Sequence, residues 1–256
     1  MIPYGRQSID EEDIASVLKV LRSDLITQGP IPDLFEKEVS NLVNSNFAVV
    51  TNSATSSLLV SCLSLGLEKG DYLWTSPNSF VASANCALHC GAQIDFVDID
   101  LDTGNISLEK LKEKLETAKK ENKLPKIIIP VHFAGQPTDQ EEIWKLSKEY
   151  DFKIIEDASH SLGAKHKGEK VGSCKWSDVT VFSFHPVKII TSCEGGMSTT
   201  NDKDIRDKMQ LYRTHGITKD SSKFVNGTDP WHYEQHVLGH NFRLSDLHAA
   251  LGLSQL

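Results

Sequence analysis

Short β-rich runs alternate with longer stretches of helical period along this chain, and few folds accommodate that order. Residues 47–51 read as a strand and 55–65 as a helix, and 72–75, 81–90 and 93–97 repeat the pattern as strand, helix and strand. Ser107 can cap a helix on which Leu108, Leu111 and Leu115 share one face. A strand is predicted over 126–131, then a helix over 141–150 with Ile143, Leu146 and Tyr150 on one stripe. Another strand, 152–155, runs into Glu156-Asp157, and strands at 179–184 and 196–200 precede a helix over 202–213. No internal repeat interrupts the series. Alternation of this kind implies crossover units, hence an α/β fold with a mainly parallel sheet flanked by helices. Ligands of such sheets collect at the carboxyl ends of the strands. Chemistry is therefore expected at 52–56, 77–80, 157–160 and 183–188.

A length of 256 residues suits one large domain with a substantial core. The formal net charge of −8 argues against a nucleic-acid surface but leaves room for a locally basic pocket. No apolar run approaches the roughly 18–20 residues that span a bilayer. Residues 1–6 lack the apolar stretch of a secretion signal. The expectation is a cytoplasmic protein without a membrane partner. The cysteines at 62, 86, 90, 174 and 193 are scattered, as free thiols of a reducing compartment would be. Cys86, His89 and Cys90 sit on an apolar helix, where thiols are core residues more often than ligands, so no metal is expected. Asn105-Ile106-Ser107 and Asn226-Gly227-Thr228 fit the glycosylation acceptor pattern and read as chance matches.

Three segments carry chemistry. Thr51-Asn52-Ser53-Ala54-Thr55-Ser56-Ser57 lies between a strand and a helix. Small and hydroxylated residues there leave backbone N–H groups facing outward, and the helix dipole favours an anion. The segment is either a phosphate site or an ordinary cap by Ser53 or Thr55. No glycine-rich dinucleotide fingerprint or Walker A loop accompanies it. In Ile154-Ile155-Glu156-Asp157-Ala158-Ser159-His160, successive side chains of a strand end point opposite ways, so only one carboxylate should reach a pocket. Such an aspartate either fixes a cationic ligand or caps a helix. In Val181-Phe182-Ser183-Phe184-His185-Pro186-Val187-Lys188, a lysine follows closely on a buried strand. Desolvation would lower its pKa and make it a nucleophilic amine; otherwise it is a solvated surface lysine.

In this order, the segments resemble those of the DegT/DnrJ/EryC1/StrS sugar aminotransferases, fold type I enzymes dependent on pyridoxal phosphate. The resemblance covers nearly the whole chain. It also rests on Leu25-Ile26-Thr27-Gln28-Gly29, Ser79-Phe80-Val81-Ala82-Ser83-Ala84-Asn85, Asp157 through Gly163, Glu194-Gly195-Gly196 and Gly239-His240-Asn241-Phe242-Arg243-Leu244. Ala54 stands where many relatives have glycine, and His160 where many have glutamine.

The resemblance implies that Lys188 forms the Schiff base with the cofactor and shuttles the proton. It makes Asp157 the partner of the pyridinium nitrogen and Phe80 the aromatic residue stacked on the ring. Ala54, Thr55 and Ser183 match positions around the phosphate, and His160 one near the ring hydroxyl. Asn241 matches a residue that reaches the phosphate of the partner subunit in a homodimer. The implied reaction moves an amino group from L-glutamate to C4 of a UDP-linked 4-keto-6-deoxy-N-acetylhexosamine, a step of pseudaminic acid biosynthesis. The alternatives are another nucleotide-sugar aminotransferase of the family, or a non-catalytic binding or regulatory protein on the same fold. Residues 1–256 would then be an N-terminal segment plus the cofactor-binding large domain, ending before a smaller C-terminal domain. A helix capped by Ser245 and running through Leu247, Ala250, Leu251 and Leu253 reaches the last residues without a clear stop signal.

Overall fold

The computed structural model describes residues 5–225, 227, 229 and 231–256. Residues 1–4 of the N-terminal segment, and Asn226 and Thr228 of the second acceptor pattern, lie outside the described residues. Two helices open the chain: α1 (Glu11–Leu21) and α2 (Ile31–Val43). The elements that follow are β1 (Phe47–Thr51), α3 (Ala54–Ser64), β2 (Tyr72–Thr75), α4 (Ala82–His89), β3 (Gln93–Phe96) and α5 (Leu108–Glu121). Then come β4 (Ile127–Ile129), α6 (Gln140–Tyr150), β5 (Lys153–Asp157), β6 (Val179–Ser183), β7 (Gly196–Thr200), α7 (Lys203–Arg213) and α8 (Asp246–Ser254). Two-residue strands pair Lys165–His166 with Glu169–Lys170, and Ile217–Thr218 with Glu234–Gln235.

Among the described residues, the main sheet has seven strands in the order β1-β7-β6-β5-β4-β2-β3. From β6 to β3 every pairing is parallel, as the crossover pattern demands. β7 runs antiparallel to both neighbours. The connection from β6 to β7 contains no helix, so the chain turns back beside the strand it has just left.

Alternation along the strands sorts the core. Val49, Leu73, Ile127, Ile129, Ile155 and Val181 face α3, α4 and α7, with Leu58, Cys62, Ala87 and Met209. Their neighbours Trp74, Ile128 and Ile154 face α5 and α6. Val50, Phe182 and Met197 face α2 and α8, through Phe35, Val39 and Ala249. Helices thus cover both faces. Each large apolar side chain so buried contributes about 1.5–3 kcal/mol relative to exposure. The cysteines are free thiols, and no group of three or more metal-type side chains suited to an ion occurs among the described residues. No helix among them is long and apolar enough to cross a membrane. Asn105, of the first acceptor pattern, is a buried brace: its amide donates to the Gln136 and Pro137 carbonyls and its Oδ1 accepts from Phe133 N.

Candidate active site

The site is built where the parallel strands end. Asp157 is the last residue of β5, and the one-residue alternation separates it from Glu156. Glu156 is bound away from the cleft by Gln140 Nε2, by Thr180 Oγ1 at 2.6 Å and by Ser177 Oγ at 3.2 Å. Asp157 faces the cleft instead. Ser83 Oγ donates to its Oδ2 at 2.6 Å, and Ser159 Oγ to its Oδ1 at 2.6 Å. No helix begins at Asp157: residues 158–163 form turns and a coil, so a helix-capping role does not arise.

The strand-to-helix segment after β1 is both a cap and an open helix end. Ser53 Oγ accepts from Ser56 N at 3.1 Å. The amides of Ala54 and Thr55, in the first turn of α3, have no carbonyl within the helix to receive them. β7 crosses directly over this end. A Cβ on Gly196 would collide with the backbone of Ser53 and Ala54, so glycine is what allows the close approach.

Lys188 stands on the loop between β6 and β7, which is stitched at its base. Ser192 N and Thr191 Oγ1 both donate to Phe184 O, at 2.9 and 3.1 Å. Thr191 N donates to Gln255 Oε1 at 3.1 Å, tying the loop to the end of α8. The lysine Nζ lies 2.6 Å from His160 Nε2. Burial lowers the Lys188 pKa below its usual range, while the Asp157 charge opposes the shift. Burial and the Lys188 charge lower that of His160, again against Asp157.

These groups line one cavity of about 630 Å³. Ala54, Thr55, Phe80, Asp157, His160, Ser183 and Lys188 all contribute to its wall. Phe80 stands at the rim with 74 % of its surface exposed. Asn241 does not line this cavity; it is exposed and forms an isolated bridge with Thr214. Sequence reasoning passed over Ser83, Ser159, Asn78 and His132. The first could have been suspected from the four-residue spacing of Ser79, just before α4, and Ser83, within its first turn, whose hydroxyls lie 2.8 Å apart.

His132 is buried, and burial holds its pKa below the ordinary value of 6.5, against the pull of Glu156 and Asp157. His160 is lowered too. Each histidine binds a proton more readily unfolded than folded, so stability falls as pH drops below about 6.5 and through the lowered folded values. The melting temperature should therefore decrease between pH 7 and pH 5, and His132→Gln should flatten that slope. A slope identical in the variant would show that His132 does not contribute.

A lysine amine, a carboxylate, an aromatic rim and an open helix end around one cavity on this sheet define the fold of the pyridoxal-phosphate-dependent transferases. The chain belongs to the DegT/DnrJ/EryC1/StrS aminotransferase family, whose profile matches residues 7–256. It is 41% identical over 256 residues to the UDP-4-amino-4,6-dideoxy-N-acetyl-beta-L-altrosamine transaminase of Campylobacter jejuni, covering 100% of this chain and 64% of that one. The structure of Helicobacter pylori PseC, an aminotransferase of pseudaminic acid biosynthesis, superimposes with a TM-score of 0.88 at 37% identity, covering 99% of this chain and 64% of that one. The PLP form of the sugar aminotransferase Spr1654 from Streptococcus pneumoniae, itself described as putative, gives 0.85 at 29% identity, covering 99% of this chain and 66% of that one. The chain thus spans about 64% of the length of the curated relatives it matches.

The residues present fit pyridoxal phosphate, the cofactor of this family. The free helix amides suit a phosphate, Asp157 a protonated ring nitrogen, Phe80 a ring face and Lys188 an aldehyde.

Proposed function

We propose that this chain forms the cofactor-binding part of a cytoplasmic nucleotide-sugar aminotransferase. It takes the amino group of L-glutamate and places it on C4 of a UDP-linked 4-keto-6-deoxy-N-acetylhexosamine. The observation that carries this reading is the convergence of Lys188, Asp157 and Phe80, from three separate chain segments, on a single cavity. The names of the C. jejuni and H. pylori relatives support the choice of sugar. We further propose a homodimer in which Asn241, which does not line its own chain's cavity, serves the partner's phosphate.

Pyridoxal phosphate supplies, when bound, a carbonyl carbon that exchanges amino groups and a ring that takes up electrons. The protein does the rest. Lys188 has its pKa lowered by burial, so its amine is more readily available uncharged, to carry a proton between nitrogen and substrate carbon. Asp157 would hold the proton of the ring nitrogen. The first turn of α3 and Ser183 would hold the phosphate, and Phe80 would pack on the ring. His160, 2.6 Å from Lys188 Nζ, orients the amine.

A panel of UDP-linked keto-sugars with glutamate tests the assignment. Amination at C4 of the 4-keto-6-deoxy-N-acetylhexosamine is the expected product, identified by NMR of the purified sugar nucleotide. Preferred turnover of a 3-keto sugar, or of a sugar on another nucleotide, would replace this substrate with a different one of the same family. An absence of amination with any sugar would contradict the reading itself.

A further inference from the structure

We infer that Ser83 and Ser159 are positioning residues that clamp the Asp157 carboxylate and leave one lone pair, on Oδ2, for the ligand. The inference rests on the proposed cofactor reading and deepens it. Asp157 is 5% exposed and Ser83 is fully buried. An ionised carboxylate accepts about four hydrogen bonds and donates none. Here Oδ1 receives both Ser159 N, at 3.2 Å, and Ser159 Oγ, at 2.6 Å. Oδ2 receives Ser83 Oγ at 2.6 Å. Three of the four acceptor positions are filled by the protein, and the remaining one belongs to Oδ2.

The direction of the hydroxyls is fixed by the same count. Ser83 has one proton and gives it to the carboxylate, so it must accept from Ser79 Oγ, 2.8 Å away. Ser79 lines the cavity beside Phe80. A chain of hydroxyls, Ser79 to Ser83 to Asp157, therefore links the segment that bears the stacking residue to the carboxylate. On the other side Ser159 uses both its amide and its hydroxyl, which sets the rotation of the carboxylate plane. Short hydrogen bonds to a charged oxygen are the strong ones. Losing either serine would let the carboxylate rotate and present its free lone pair elsewhere.

The expected consequences separate the hydroxyls from mere packing. Ser83→Thr keeps a hydroxyl and Ser83→Val nearly the same shape without one. Titration of the cofactor-free protein with pyridoxal phosphate should show Ser83→Val about tenfold weaker than Ser83→Thr. Ser159→Ala should be weaker than Ser159→Thr by a similar factor. With cofactor labelled at the ring nitrogen, the ¹⁵N shift should stay that of a protonated nitrogen in both threonine variants. It should move toward the unprotonated value when Ser83→Val and Ser159→Ala are combined. Should the added bulk prevent Ser83 variants from folding, the Ser159 pair, at a half-buried position, decides alone. Equal affinities within each pair, or a ¹⁵N shift that stays that of a protonated nitrogen in the combined variant, would overturn the clamp while leaving the cofactor reading intact. A parent protein that binds no pyridoxal phosphate would overturn both.

Discussion

Lys188→Ala is expected to reduce transamination by roughly a thousandfold or more, since it removes the residue proposed as both covalent anchor and proton carrier. The fold should survive. Lys188 lies on a loop, and that loop is held by Thr191, Ser192 and Gln255 rather than by the lysine. His160, whose Nε2 lies 2.6 Å from Lys188 Nζ in this structure, would be left facing the cavity and could turn to solvent there. Circular dichroism and the melting curve should match the parent, while the absorbance of lysine-linked cofactor disappears. Turnover near the parent rate would remove Lys188 from the mechanism.

Asp157→Asn should retain the cofactor but slow the glutamate half-reaction severely. Breaking a buried, hydrogen-bonded charge pair by changing one partner costs about 2–5 kcal/mol, roughly thirty- to several-thousand-fold in rate if the loss falls on the transition state. The amide also disturbs its own surroundings. Its two N–H donors must face Ser83 or Ser159, both of which donate to the carboxylate in the parent. Stopped-flow absorbance on mixing with glutamate gives the rate. A near-parent value would show that the carboxylate charge is not used. Glu156 could not then be the substitute, because Gln140, Thr180 and Ser177 hold it away from the cleft.

Much of this architecture was legible in the residues because its signals are local. Strand alternation separates Asp157 from Glu156, as read from the sequence, and the residues of β4 and β5 formed strands as their composition implied. Ser53, Ser107 and Ser245 cap helices as their positions suggested, and Asp202, read as the first helical residue, is the cap of α7. What escaped was non-local or weakly marked. α1 begins with a capping box closed by Asp13 rather than the commoner glutamate. Along α1, Ile14, Leu18 and Leu21 remain exposed, so its stripe carries little burial signal. α2 starts behind Pro30 with no side-chain cap at all. The place of β7 between β6 and β1 depends on pairing with β1, whose sequence is far away. The clamp on Asp157 likewise joins Ser83 to a residue seventy-four positions along the chain, and no periodicity announces that contact.

The central claim is that Lys188 is the residue that binds the cofactor covalently. Borohydride reduction of the pyridoxal-phosphate-loaded protein, followed by proteolysis and mass spectrometry, reads this directly. The account predicts one phosphopyridoxyl group, on the peptide containing Lys188. A label on another lysine, or a loaded protein in which reduction fixes nothing, would contradict it.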